Sequence, residues 1–419
     1  MNARLFGPAI VLMLTAAAPS ASAADNVDAQ QSPGFGSPDA VENQLEDDAA
    51  STGSATGVNL TESWFGWKAG LQEKHGFGFG VDYSTVLMKA DKQGLGGVDS
   101  GTGGMVRLFG AWELVGRGTP NSGAFVWKVE NRHKYGTIPP ADLQFELGGI
   151  GLVEPPFSDQ GGRVTNCYWR QRLGEGKVTL VGGFVDVTDF YDVFALASPW
   201  TGFLNFAFST GTTTAFLPND ATLGVGAGAM LSEKIYVIGS LANAWSDPRV
   251  PFKGIETFGD GEYFKSLEIG LTPGHERIYF DNTHLSFWHV DESSLAGTPG
   301  GWGLNIQYVR YLNKKWMPFV RAGYADEGGS LMETSVSAGF GYQATGSGDL
   351  LGFAGNWGQP NASTWGSDLE DQYTVELFYR LQLTEQLAIT PDVQLLINPP
   401  NNPDHDSIWM YGIRARLAL

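Results

Sequence analysis

Between Glu370 and Leu419 three runs of residues alternate strictly between two kinds of side chain. In the first, Tyr373, Val375, Leu377, Tyr379, Leu381 and Leu383 share one face, and Gln372, Thr374, Glu376, Phe378, Arg380 and Gln382 share the other. Thr384, Glu385 and Gln386 turn the chain. The second run sets Leu387, Ile389, Val393 and Leu395 against Thr390, Asp392 and Gln394. After a proline-rich loop, the third sets Trp409, Tyr411, Ile413, Ala415, Leu417 and Leu419 against Arg414 and Arg416. Successive side chains on a strand point to opposite faces, so this period gives one apolar surface and one that carries charge. Tyrosine and tryptophan stand near the ends of the apolar surface. That is the pattern of a strand crossing a membrane within a barrel, with lipid outside, water inside and aromatic girdles at the interfaces.

A soluble sandwich with one wet face produces the same alternation strand by strand. Scale and composition decide between the two. The chain has 57 glycines in 419 residues, about twice the usual share, and only 17% charged residues. Strand-length runs follow one another from Phe77 onward with almost no helical periodicity between them. Seventeen can be counted, and the weakest, near Phe203, lies in an aromatic stretch with poor alternation. Single-chain bacterial barrels have even strand numbers. Dropping that run leaves an all-β chain folded as a sixteen-stranded antiparallel transmembrane β-barrel, a size that leaves an aqueous channel.

The same parity extends to earlier runs. Val106, Leu108, Trp112 and Leu114 oppose Arg107, Phe109 and Glu113; Phe125, Trp127 and Val129 oppose Lys128, Glu130 and Arg132. Trp316, Val320, Ala322 and Tyr324 oppose Lys315, Phe319 and Arg321. No charge falls mid-strand on the apolar side, where an Arg or Lys at the midplane would cost ~2–4 kcal/mol. Pro318 cannot donate to a ladder and is expected near a rim or bulge.

Ahead of the barrel, residues 1–23 read as a secretory signal peptide: Arg4, an apolar stretch from Leu5 to Ala18, then Ala21-Ser22-Ala23 at the cleavage site. Residues 24–59 are small and acidic, with Asp25, Asp28, Asp39, Glu42, Glu46, Asp47 and Asp48, and read as a flexible segment. Residues 60–75 place Trp64, Trp67 and Leu71 at helical spacing and predict a short N-terminal helix at the periplasmic mouth, ended by Gly76. Residues 76–419 form the barrel. Export together with barrel strands points to a bacterial outer membrane, with its lipid as one partner.

A formal net charge of −19 argues against nucleic acid as a partner. One cysteine, Cys167, excludes an internal disulfide. Enzyme chemistry finds little support. His284 and His289 are five residues apart and point to opposite faces of a strand, and Asp404-His405-Asp406 reads as turn chemistry. The sequence calls for no metal or cofactor.

Several stretches, in order, resemble one family: Phe125-Val-Trp-Lys-Val-Glu-Asn-Arg132, Phe194-Ala-Leu-Ala-Ser-Pro199, Phe203-Leu-Asn-Phe-Ala-Phe208, His284-Leu-Ser-Phe-Trp-His-Val-Asp291, Glu376-Leu-Phe-Tyr-Arg-Leu-Gln-Leu383 and Asn398-Pro399. Over about Leu60 to Leu419 the chain is similar to the OprB carbohydrate-selective porins. The resemblance implies passive diffusion of monosaccharides such as glucose, or small oligosaccharides, through a sixteen-stranded barrel. A general or ion-selective porin is the alternative, and the oligomeric state stays open.

A sugar-selective pore needs paired donors and acceptors with aromatic surfaces beside them. Parity offers Arg107, Glu113, Lys128, Glu130, Arg132, Arg321, Glu376, Arg380, Arg414 and Arg416 as lumen residues, contacting solute or forming ion pairs across the wall. The aromatic stretch from Asp189 to Pro218 is either a loop folded into the lumen or packing beneath an extracellular loop.

Overall fold

The computed structural model describes residues 34–50, 62–343, 348–367 and 369–419; the signal-peptide stretch and residues 51–61 lie outside the described residues. Sixteen strands within those residues close into one antiparallel barrel, each paired with its neighbours in sequence, and the last with the first. They are β1 Phe77–Ala90, β2 Ser100–Val115, β3 Gly123–Lys134, β4 Gly161–Leu173, β5 Val178–Val185, β6 Thr222–Met230, β7 Ile235–Asn243 and β8 Tyr263–Leu271. The circuit continues through β9 Asn282–Val290, β10 Gly301–Val309, β11 Trp316–Glu327, β12 Met332–Gln343, β13 Leu350–Pro360, β14 Gln372–Gln382, β15 Leu387–Ile397 and β16 Ser407–Ala418. Closure follows from Asp82 pairing Ala418 and Ala90 pairing Met410, which leaves no unpaired sheet edge.

The alternation reads out as expected. On β2, Val106, Leu108 and Trp112 are exposed on the outer wall, while Met105, Arg107 and Phe109 are buried inside. On β16, Trp409, Tyr411, Ile413 and Leu417 are exposed and Met410 and Arg414 are buried. His284 and His289 fall on opposite faces of β9, with His284 sealed inside. Pro318 sits at the third position of β11, close to that strand's turn end. The Phe203 run is no strand: residues 186–221 connect β5 to β6 through short 3-10 turns at Val187–Asp189, Phe206–Phe208 and Thr210–Thr213.

Two kinds of connection distinguish the ends of the barrel. The connections β2–β3, β4–β5, β6–β7 and β14–β15 are short and lie at the end that carries both strand termini; the opposite end carries the long residues 135–160 and 186–221. Short turns mark the periplasmic side of such barrels and long loops the outside.

Among the described residues two helices precede β1: α1 Val41–Ala50 and α2 Glu62–His75. α2 stops at Gly76, whose amide caps the Gln72 carbonyl at 2.9 Å. Gly76 has φ +67°, and a Cβ there would lie 2.8 Å from the Glu113 carbonyl oxygen, so no other residue turns the chain from helix to strand as easily. α2 stands at the rim. Trp64 and Trp67 pack their rings at 5.9 and 5.8 Å from that of Phe79, on the outer face of β1, and Lys68 donates to the Leu419 carbonyl at 2.9 Å.

The acidic segment departs from the flexible reading over residues 34–50. Phe35 and Val41 are buried, and Val41 packs with Phe109, Ala111, Ala124 and Val126 on the inner face of β2 and β3. The physical reason is charge. The acidic side chains find arginines on the inner wall, which composition of the segment alone does not reveal.

Candidate functional site

The lumen is a packed interior. Residues 135–160 and 186–221 fold inward and bring their own apolar side chains. Leu143, Leu147, Leu152, Phe157, Trp200 and Leu204 pack on Val86, Met88, Met105, Leu396, Ile408 and Met410 of the wall. Phe194, Phe203 and Phe208 pack on Phe319 and Phe378, with the Phe203 and Phe378 rings 5.0 Å apart, edge to face. The aromatic stretch thus enters the lumen, and there its rings are spent on packing against the wall. The expectation of a water-filled interior is corrected to this extent: residues 135–160 and 186–221 enter the bore and pack against its wall.

A loop crossing a lumen has no ladder partner, yet its buried amides and carbonyls must be satisfied. Wall charges do this. Arg414 donates to the carbonyls of Pro199 at 2.6 Å and Gly202 at 2.8 Å. Arg380 reaches the Thr201 carbonyl at 3.3 Å. Arg321 donates to the carbonyls of Ser209 at 2.6 Å and Phe208 at 3.2 Å, and pairs with Asp192. Glu376 accepts from the amides of Leu204 at 2.7 Å and Asn205 at 2.9 Å. Four of the sequence-expected lumen residues therefore hold a loop.

The others form ion pairs in four groups. Arg107 donates to Asp82 through Nε at 2.8 Å and lies 3.9 Å over the Trp200 ring; Arg416 donates to the same carboxylate at 2.9 Å. Lys128 lies 3.5 Å from Asp189 and donates to the Asp39 carbonyl at 3.4 Å. Arg132 donates to Glu130 at 2.9 Å and to Asp220 at 3.0 Å, with Arg163 2.7 Å from the same Asp220. Glu113 lies 3.8 Å from Arg170, near the terminal-bearing end. So β2 and β3 do place Arg107, Lys128, Glu130 and Arg132 on one inner wall, with Glu113 lower down toward β4.

The inserted loop is pinned at one further point. Asp192, at φ +49°, takes a backbone conformation that L-residues seldom adopt. Its carboxylate accepts from the Gly211 amide at 2.7 Å and from His284 Nε2 at 2.7 Å, and its own amide donates to Glu268 at 2.9 Å. Burial alone would raise the Asp192 carboxyl, but Arg321 and His284 beside it hold it below the usual carboxylate range. Asp189 behaves oppositely: burial pushes it well up, even with Lys128 near. Parity could have found Asp82, inward on β1 beside Gly80 and Ser84. Asp192 and Asp220 sit in a loop without period, so nothing in the sequence marked them.

Beside β5–β8 the wall carries little bulk. A recess there is lined by Thr179 and Val181, by Gly224 and Gly226 of β6, by Ser240, and by Phe190 of the loop. Among the described residues no group of three or more His, Cys, Asp or Glu is arranged to hold a metal ion.

Residues 277–419 match the model of the carbohydrate-selective porin family, OprB. No curated protein matches the chain. Among solved structures, Pseudomonas putida OprB at high pH superposes with a TM-score of 0.68, covering 88% of this chain and 100% of that one at 14% identity. The low-pH structure of the same porin gives a TM-score of 0.53 at 11% identity, with 88% and 100% covered. At these identities the likeness is one of fold.

Proposed function

We propose, taking as premise that residues 277–419 are those of an OprB-family carbohydrate-selective porin, that this barrel sits in the bacterial outer membrane and passes carbohydrates such as glucose down their gradient. The family match carries the reading, and the barrel geometry agrees with it. A lumen narrowed by its own loop passes small solutes one at a time, and paired charges of both signs suit a neutral, hydroxyl-rich solute better than a single-sign ring suits it.

The selective contacts are proposed for the wall charges that meet the β6 end of the inserted loop, chiefly Glu130 and Arg132, with Arg163 and Asp220. This group has two cationic and two anionic side chains, so its charge balances while it offers forked donors and carboxylate acceptors. Arg107 and Lys128 lie on the same wall, buried in their pairs with Asp82 and Asp189. Arg321, Glu376, Arg380 and Arg414 position the loop that sets the bore. Glucose efflux from proteoliposomes, compared with that of a charged solute of similar size, tests the reading.

A further inference from the structure

Residues 35–48 run across the lumen at the terminal-bearing end, from one wall to the other. At one side the Phe35 ring lies 4.5 Å from that of His275 in the β8–β9 turn, tilted against it, and covers Gly228 of β6. The Ser37 amide donates to the Asp189 carbonyl at 2.7 Å, tying the segment to the inserted loop. Asp39 accepts from Ser198 at 2.7 Å. Glu42 forms ion pairs with Arg170 at 2.7 Å and Arg172 at 3.4 Å on β4. At the far side Asp48 meets Arg416 of β16 at 3.0 Å. Arg416 in turn shares Asp82 with Arg107, so the last anchor of the segment joins the charge group of the wall.

This segment is attached differently from a strand. It has no ladder, and its seat is made of a few apolar side chains and a set of carboxylate–arginine pairs. A ten-residue helix such as α1 has marginal stability alone in water and holds its shape here through those contacts. Side chains in these pairs are 2–21% exposed, so salt screens them only in part, and movement of either partner leaves a poorly solvated charge. With the segment gone, Lys128, Arg170, Arg172 and Arg416 would face the opening with fewer carboxylates beside them.

We infer that residues 35–48 are a plug that the chain supplies to its own terminal-bearing mouth, seated in the resting barrel and displaced for a solute to cross at that level. The plug rests on the channel reading above, but its readout is salt conductance, which does not depend on the solute selected. The test compares the full chain with one lacking residues 34–50, each refolded and reconstituted in planar bilayers with potassium chloride. The plug predicts a severalfold rise in single-channel conductance and a shift of ion selectivity toward anions, because the basic mouth is uncovered. Unchanged conductance and selectivity in a folded, heat-modifiable deletion barrel would overturn it. If the deletion fails to assemble, the full-length double variant Glu42→Gln, Asp48→Asn decides: higher conductance with faster proteolysis between residues 34 and 50 supports the plug, and wild-type conductance overturns it. A barrel that carries no current with or without the segment contradicts the channel reading itself.

Discussion

Arg107 and Asp82 face one another across the β1–β2 ladder, joined through Nε at 2.8 Å, with both side chains sealed from solvent. Arg416 reaches the same carboxylate from β16, so one aspartate serves the cations of two neighbouring strands. Removing it strands Arg107 and leaves Arg416 with Asp48 alone. Asp82→Ala is expected to cost ~3–5 kcal/mol of barrel stability, because a buried charge without its partner is strongly unfavourable. Urea unfolding followed by the heat-modifiable gel shift measures this. The paired change Asp82→Leu, Arg107→Met should cost clearly less, since it removes Arg107 along with its carboxylate while Arg416 keeps Asp48.

The inserted loop should loosen if its pin is cut. Asp192→Asn keeps the shape but weakens the contacts to Arg321, His284 and the Gly211 amide, at an expected ~1–3 kcal/mol for a charged hydrogen bond. The barrel should still assemble, since no ladder bond is touched. Limited proteolysis within residues 186–221 should become faster and conductance larger. A loop as resistant as wild type would show that its apolar packing on Phe319 and Phe378 suffices.

Seating of the N-terminal segment should weaken as pH rises. Burial pushes Glu46 and Asp47 up to about 7, with Glu42 adding to the first and Asp48 to the second. Arg172 faces Glu46; Arg380 and Arg416 face Asp47, with Asp39 adding a like charge; the Tyr279 hydroxyl faces both. A carboxyl raised in the seated state favours seating while it is protonated, so its contribution is full below the ordinary carboxylate range and is lost as pH rises through about 7. Conductance recorded from pH 5 to pH 8 should therefore increase, and Glu46→Gln, Asp47→Asn should flatten the profile.

The outer and inner faces should respond differently to one charge. Leu267 points outward at the middle of β8, and Ser266 beside it points inward against Ser240. Leu267→Arg is expected to cost ~2–4 kcal/mol of stability in lipid. Ser266→Arg should insert normally and alter conductance instead. Folding efficiency into vesicles reads the first, and bilayer recordings the second.

How far the sequence could be read follows from what repeats. The barrel wall repeats every two residues, and lipid punishes any charge on the wrong face, so Val106, Arg107 and Leu108 reveal their sides without a structure. The parity of Arg414 was equally legible, but its partners were not. The carbonyls of Pro199 and Gly202 belong to a loop whose path through the lumen has no period to follow. Glu42 and Asp48 look like solvent-facing acids until Arg170 and Arg416, far away in sequence, are seen to receive them. Alternation fixed a face for each charge and left open whether a solute, a loop or another side chain would use it.

Glu130 and Arg132 separate a selective element from a structural pair. If they contact sugar, alanine at either position should weaken glucose block by ~1–3 kcal/mol while the barrel folds. If glucose block and flux stay at wild-type values in both variants, the pair only ties the wall to Asp220.

Glucose uptake and ion conductance measured on one reconstituted sample of the full chain test the carbohydrate channel most directly. For such a channel, glucose equilibrates across the bilayer and a small ion current falls as glucose is added. A large current indifferent to glucose, or a barrel that passes neither, would contradict it.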